Sequence, residues 1–173
     1  MPDSHVLFIG GPSGLGKSTV AFALHDLLAD LNVRHAVIEG DALDMAHPAP
    51  WKQHLAERNL AAIWSNYRDL GYHRLIYTNT VSVLEPDALA AAMGDAPETT
   101  SVLLRASEET VSARLGQREH GESLERHLQR SIESASRLED RAPSTVHRMD
   151  TDGQTPVEIA ERILAIVGWN SED

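Results

Sequence analysis

The 173 residues include no cysteine, so disulfides, thiolate nucleophiles and cysteine-bound metals are excluded. The absence fits a cytoplasmic protein. Lysine is almost missing too: Lys17 and Lys52 stand alone, and every other basic residue is arginine. Asp and Glu number 26 against 15 Lys and Arg, a formal charge of −11. A chain this acidic lacks the general attraction to phosphate backbones on which nucleic-acid binding draws, so nucleic acid is not an expected partner. The arginines between residues 114 and 141 are the one place for a local basic patch. A solvated acidic surface with arginines around one site is the simpler reading. No run approaches 18 apolar residues, which argues against a membrane span. Met1-Pro2-Asp3-Ser4 has neither the basic nor the apolar region of a signal peptide, which adds to the expectation of a cytoplasmic location. Nine histidines are present, but no H-E-x-x-H occurs, and His120 and His127 are seven apart, without metal-site spacing.

What is present is ordinary in bulk and specific in one place. Apolar residues make up 42% and charged residues 24%, as in a globular protein, and the length suits one domain, residues 1–173, with a sizeable core. Gly-Gly-Pro-Ser-Gly-Leu-Gly-Lys-Ser-Thr at 10–19 satisfies the phosphate-binding pattern G-x-x-x-x-G-K-[ST] through Gly11, Gly16, Lys17 and Ser18. Ahead of it, His5-Val6-Leu7-Phe8-Ile9 reads as a buried parallel strand. Behind it Val20, Leu24, Leu27, Leu28 and Leu31 recur at helical spacing. Glycines allow backbone N–H groups to converge on an anion, and the following helix N-terminus favours negative charge. Lys17 supplies a cation for the β- and γ-phosphates, and the Ser18 hydroxyl is a ligand for Mg²⁺. The loop Gly11, Pro12, Ser13, Gly14, Leu15, Gly16, Lys17, Ser18 and Thr19 is therefore the candidate nucleotide cradle.

The remainder alternates between two periods. Strands are expected at 5–10, 34–39, 73–78, 100–106 and 145–150. Between them, Leu60, Ile63, Trp64 and Tyr67 mark a helical stripe ending before Gly71, and Pro86 opens another helix that Gly94 stops. A third starts near Ser107. Leu124, Leu128, Ile132 and Ala135 predict a long helix that ends before Pro143. Thr155-Pro156-Val157-Glu158 is a capping-box sequence ahead of Ile159, Ile163, Leu164 and Val167, with Gly168 as the stop. Such alternation predicts an α/β fold with a parallel sheet covered on both faces and a ligand site at the strand carboxyl ends.

Residues at those ends are the next candidates. Asp41, after the second strand, is placed to hold Mg²⁺ through water or to take a proton from an attacking hydroxyl; as an alternative it caps a turn. The third strand runs into Thr78-Asn79 without a terminal Asp, which argues against rotary, helicase-type and switch nucleotidases. Arg114 and Arg118 share one helix face and can reach a triphosphate and a base, or else pair with Glu109 or Glu122. Arg126 and Arg130 are the better functional pair among the later arginines. Trp51, Trp64 and Tyr67 are candidates for an acceptor pocket wall, the latter two being the more natural core residues.

Together these residues resemble the small P-loop kinases of metabolites, a group that includes gluconate kinase, shikimate kinase, adenylylsulfate kinase and chloramphenicol phosphotransferase. The layout is similar along the whole chain, and residues 11–19 carry the strong motif. Glu39-Gly40-Asp41 followed by His47-Pro48 is similar to the acceptor side of gluconate kinase, with a longer gap here. Arg114-Leu115-x-x-Arg118 looks like the start of the kinases' lid, and residues 150–155 occupy the position of their base-contacting loop. The resemblance implies a three-layer α/β/α fold with strand order 2-3-1-4-5 and a short helical lid near 117–124. It implies ATP and Mg²⁺ as cofactors, Lys17 on the transferred phosphoryl and Ser18 on the metal. It further implies Asp41 as base or outer-sphere metal ligand, Arg114 stacked on adenine and Arg118 on the phosphates. The expected activity is transfer of the γ-phosphate to a hydroxyl of a small metabolite or antibiotic, by a monomer or homodimer. A nucleotide-hydrolysing regulator without an acceptor is the alternative, and a nucleic-acid end kinase, weakened by the charge balance, comes third.

Overall fold

The computed structural model describes residues 3–117 and 120–170. Strands β1 (His5–Gly10), β2 (Ala36–Glu39), β3 (Arg74–Thr78), β4 (Glu98–Arg105) and β5 (His147–Asp150) form one sheet in the order β2-β3-β1-β4-β5. All four strand pairings are parallel. The helices between them are α1 (Lys17–Asp30), α2 (Leu55–Asp69), α3 (Pro86–Met93), α4 (Glu108–Gly116), α5 (Glu122–Arg141) and α6 (Pro156–Val167). The fold class is as the alternation of strands and helices predicted, and the strand order is as the resemblance implied.

Each strand divides its side chains between two layers, because successive residues point to opposite faces. Leu7, Ile9, Ile76, Val102, Leu104 and Met149 pack with Leu24, Leu28, Ile159 and Ile163 of α1 and α6. Val6, Phe8, Ile38, Leu75 and Tyr77 pack with Leu60 and Trp64 of α2 and with Met93 of α3. β1 lies between β3 and β4, so Leu7, Phe8 and Ile9 are fully buried. Each such side chain is worth about 1.5–3 kcal/mol relative to exposure. The phosphate-binding loop therefore starts from the most firmly held strand.

Three strands start two residues from expectation: β5 at His147 rather than 145, and β2 and β4 as follows. β2 begins at Ala36 rather than 34, since its ladder to β3 opens with Ala36 opposite Leu75, while His35 turns its ring back to the Val33 carbonyl at 2.7 Å. β4 begins two residues early, at Glu98, where the Glu98 N–H donates to Ser4 O at 2.8 Å. The helix ends follow the sequence signals. Thr155 Oγ1 accepts from Glu158 N at 3.2 Å and a Glu158 carboxylate oxygen accepts from Thr155 N at 2.7 Å, a complete capping box.

α5 is unlike the other helices because it changes layer. Its early residues Leu124 and Leu128 pack on the α1/α6 side, while Leu138, near its end, packs with Val83, Leu103 and Val146. The helix therefore strides over the carboxyl edge of the sheet. Its midpoint, Ser131, is buried and donates through its hydroxyl to Ser13 O at 3.1 Å.

Candidate active site

The loop between β1 and α1 is shaped by its glycines. Gly14 and Gly16 have φ of +88° and +84°, a region that side chains with a Cβ enter at a cost. Gly16 is also the N-cap of α1, and no side chain caps it. The first-turn N–H groups of α1 are thus left for an external acceptor. Lys17 opens the same turn and is only 9% exposed. Among the described residues its ammonium has one hydrogen-bond partner, Pro12 O at 3.2 Å. Burial pushes the Lys17 pKa down, and the negative charge of Asp41 pulls it back up. A buried ammonium with one carbonyl partner, beside an uncapped helix start, is a cradle that fits a polyphosphate. Ser18 follows in the same turn, half-buried.

Asp41 lies in a short 3-10 turn, Gly40–Ala42, directly after β2. Its Oδ1 accepts from Asn79 Nδ2 at 2.9 Å, and Asn79 Oδ1 in turn accepts from Val81 N at 2.8 Å. The ends of β2 and β3 are thereby joined, with the carboxylate held on the side of Lys17. Asn79 N also donates to Ile9 O at 3.2 Å, which ties this pair to the end of β1. Gly40 is required for a different reason from the loop glycines. A Cβ there would lie 2.3 Å from the ring of Tyr77, whose side chain fills the space under the turn.

On the other flank, Arg114 reaches the phosphate loop. Its guanidinium donates to Leu15 O at 3.1 Å, Thr151 Oγ1 at 3.2 Å and Thr151 O at 3.4 Å. The sequence alternatives, Glu109 and Glu122, are not its partners among these bonds. α4, the loop at 11–16 and the β5–α6 connection are clasped by one side chain. The connection is fixed again where Asp152 accepts from the Ser107 N–H and hydroxyl at 3.1 Å. Hydrogen bonds from Thr110 first, then from Ser107, hold the Asp152 carboxyl below its usual range. Arg105 grips Asp150 with two bonds, at 2.9 and 3.1 Å. Beneath α5, against Pro12, Leu15, Val111 and Ile132, a cavity of about 690 Å³ opens between this clasp and the Arg105–Glu139 contact.

Among the site candidates, Arg118 lies outside the described residues, and the expected lid at 117–124 spans the junction of α4 and α5. Arg126 and Arg130 are exposed. Trp64 is fully buried with its indole N–H on Asp95 at 3.0 Å, a core position, whereas Trp51 is 75% exposed. Among the described residues no group of three or more His, Cys, Asp or Glu is arranged to hold a metal, and no helix is long and apolar enough to cross a membrane. The sequence expectations did not single out Ser131 or Tyr77, whereas Thr151 falls in the 150–155 segment that the resemblance had marked. For Ser131 a signal existed: Leu124, Leu128, Ser131 and Leu138 share one stripe, with a serine where an apolar residue is usual.

Over 99% of this chain and 100% of the other, the fold matches a sugar kinase from a Janibacter species, with TM-score 0.67 and 21% identity. The fold is that of the small P-loop kinases. A tunicamycin resistance protein of Deinococcus radiodurans matches with TM-score 0.62 and 22% identity over 95% of this chain and 96% of that one. A gluconokinase from Sinorhizobium meliloti matches with TM-score 0.56 and 24% identity over 99% and 98%. No protein-family model and no curated protein sequence matches the chain.

Proposed function

We propose that this chain is an ATP- and Mg²⁺-dependent kinase, one domain throughout, that transfers the γ-phosphoryl group to a hydroxyl of a small molecule. The observation that carries the reading is the facing pair at the sheet edge. Lys17 is a buried cation with one carbonyl partner, and Asp41 is a carboxylate oriented by Asn79 on the side of that cation. The names of the matched folds, two of which denote sugar-type kinases, agree with a hydroxyl acceptor.

In this reading the loop N–H groups and the start of α1 bind the phosphates, and Lys17 neutralises charge on the transferred group. Ser18 and, through water, Asp41 are the residues that would hold Mg²⁺, which supplies charge neutralisation across the β- and γ-phosphates. Asp41 takes the proton of the acceptor hydroxyl as its oxygen bonds to the γ-phosphorus and the bond to the β-phosphate oxygen breaks. Arg114, already seated on the loop and on Thr151, lines the place of the base, and Arg118 is assigned to the phosphates. Lid closure over residues 117–124 would exclude water and favour transfer over hydrolysis.

The test is Mg-ATP-dependent ADP release across sugars, sugar acids, nucleosides and hydroxylated antibiotics, with Lys17→Ala and Asp41→Asn beside wild type. Stimulation by an acceptor that is lost in both variants is the expected result. Tight ATP binding with an acceptor-independent rate throughout would instead favour the regulator.

A further inference from the structure

The cavity beneath α5 takes no part in the proposed transfer. It lies over the carboxyl ends of β4 and β5, with α5 along one side and the start of α4 along the other. In the sheet, β1 separates these strands from β2 and β3, which lead to Asp41 and Asn79. Lys17, Ser18, Arg114 and Thr151 are not among the residues that line it. Phosphates held at Lys17 and a base held at Arg114 would therefore leave it open. Its volume of about 690 Å³ falls in the range of small-molecule sites.

Its walls divide by chemistry. Pro12 and Leu15 of the loop, Val111 of α4, and Ile132 and Ala135 of α5 supply apolar surface. On α5, Ile132, Ala135 and Glu139 recur at three- and four-residue spacing, so they share one face. The charged groups are Arg105, Glu108, Glu139, Asp150 and Asp152, all but one of them carboxylates. The guanidinium is already committed: Arg105 grips Asp150 with two bonds and reaches Glu139 at 3.5 Å. Glu139 is held a second time, from outside the cavity, by Arg148 at 2.8 Å. The two acids at the α4 end have no such ion pair. Asp152 accepts from the Ser107 N–H and hydroxyl, which are neutral donors. Arg114, bonded to Leu15 and Thr151, adds a weaker attraction. Glu108, exposed in the first turn of α4, has no hydrogen-bond or ion-pair partner among the described residues. An apolar trough with two such carboxylates at one end complements a ligand with an apolar body and one cationic end. A carboxylate in the same place would be repelled.

We propose that this cavity is a second small-molecule site, for a compact, apolar-bodied primary amine, separate from the places of nucleotide and acceptor. It touches the loop at Pro12 and Leu15, and it touches both helices that flank the expected lid at 117–124. An occupant would brace α4 against α5. Any change it makes in nucleotide affinity must be returned in its own affinity when nucleotide binds. The proposal does not depend on the kinase reading, since binding here is measured with or without turnover.

The test uses the full chain and three indoles that share one apolar body: tryptamine, indole-3-ethanol and indole-3-acetate. Binding is read by calorimetry and by amide chemical shifts, with and without a saturating non-hydrolysable ATP analogue. Tryptamine should bind tightest, by about fivefold over the alcohol and about tenfold or more over the acid. It should shift the amides of Ala106, Val111 and Ala135 under both conditions. Ala135→Trp, at an exposed position of α5, fills the trough and should abolish binding, with melting temperature and analogue binding as in wild type. Glu108→Gln should weaken tryptamine by about threefold and leave the alcohol unchanged. Equal or tighter binding of the acid overturns the proposal, as does binding by none of the three at millimolar concentration. So does full displacement of tryptamine by the analogue, which would make the cavity part of the nucleotide's own site. A folded Ala135→Trp protein that binds tryptamine as wild type does also overturns it. Should that variant fail to fold, Glu108→Gln decides, and an unchanged tryptamine affinity there counts against the site. ADP release with a hydroxyl acceptor bears on the kinase reading and not on this one.

Discussion

The two flanks of the sheet's carboxyl edge are built by different means. On the phosphate flank the contacts are to backbone: Lys17 to Pro12 O, Ser131 to Ser13 O, Arg114 to Leu15 O and Thr151 O. α4, α5 and the β5–α6 connection all converge on one short loop. On the Asp41 flank the contacts are fewer, from Asn79 to Asp41 and from Asn59 to Leu43 O, and Met45 and Trp51 lie open. The difference follows from what each side has to recognise. A polyphosphate presents the same oxygens in every reaction, so backbone geometry is enough to bind it. An acceptor differs from one kinase to the next, so side chains on a less restrained segment must do the selecting.

The largest expected effect lies where the flanks meet. Lys17→Ala should lower acceptor-dependent turnover by about a thousandfold or more, as loss of a preorganised charge at the transferred group does. The fold should survive, since Lys17 holds only one carbonyl. Equal ADP release by this variant and wild type would remove the phosphate flank from the chemistry. Asp41→Asn should cost about a hundredfold or more in kcat, with nucleotide affinity kept, if Asp41 serves the acceptor's proton. A parallel loss of Mg-ATP affinity would instead show that holding the metal, rather than taking the proton, is the larger part of the Asp41 role.

The same division explains how much of the molecule could be read from the chain. The strands, the helices between them and the loop at 11–19 were legible because they rest on local signals: apolar runs, helical spacing, glycine before lysine, and the Thr155–Glu158 capping box; the strand order came instead from the resemblance to the small P-loop kinases. What was not legible depends on contacts across long separations. Arg114 shared its sequence logic with a surface pairing to Glu109 or Glu122, and only the fold brings Leu15 and Thr151 to it. Tyr77 read as one apolar residue in a buried strand. Its meaning depends on Gly40, 37 positions earlier, having no Cβ. Asn79 was noticed as a strand-end polar residue, but its hold on Asp41 is a property of adjacent strands β2 and β3.

Smaller effects should separate the flanks further. Arg114→Ala removes three bonds around the loop and should raise the KM for ATP by about tenfold or more, with the KM for the acceptor little changed. Equal change in both would mean that the flanks are coupled through α4. Gly40→Ala has the opposite signature. Its Cβ meets the Tyr77 ring at 2.3 Å, an overpacking that costs about 1–3 kcal/mol of stability. A lower melting temperature and a weakened acceptor response, with ATP binding retained, are expected. Unaltered stability would mean that the ring moves freely and does not define the acceptor flank.

The smallest effect concerns the far end of the sheet and serves as a control for both flanks. His35, 9% exposed just before β2, donates from Nδ1 to Val33 O at 2.7 Å, and its Nε2 is 2.8 Å from His25 Nδ1. A neutral His35 donating from Nδ1 accepts at Nε2 from the His25 Nδ1–H, whereas an imidazolium would donate from both nitrogens. Burial first, opposed by the Val33 bond and reinforced by His25 and Arg74, lowers its pKa from 6.5. The unfolded chain therefore binds this proton more readily than the folded one. Stability from His35 is fully present above 6.5 and is lost as pH falls from there through the folded value. Melting temperature should thus decline between about pH 7.5 and about pH 5, and His35→Gln should flatten part of that slope. Because the pair lies before β2, at the strand end away from Lys17 and Asp41, kcat/KM measured well below the melting temperature should keep the wild-type pH profile in His35→Gln. A melting curve for that variant parallel to wild type would show that the proton is taken up elsewhere, and a displaced kcat/KM profile would show that the two ends of the sheet are not independent.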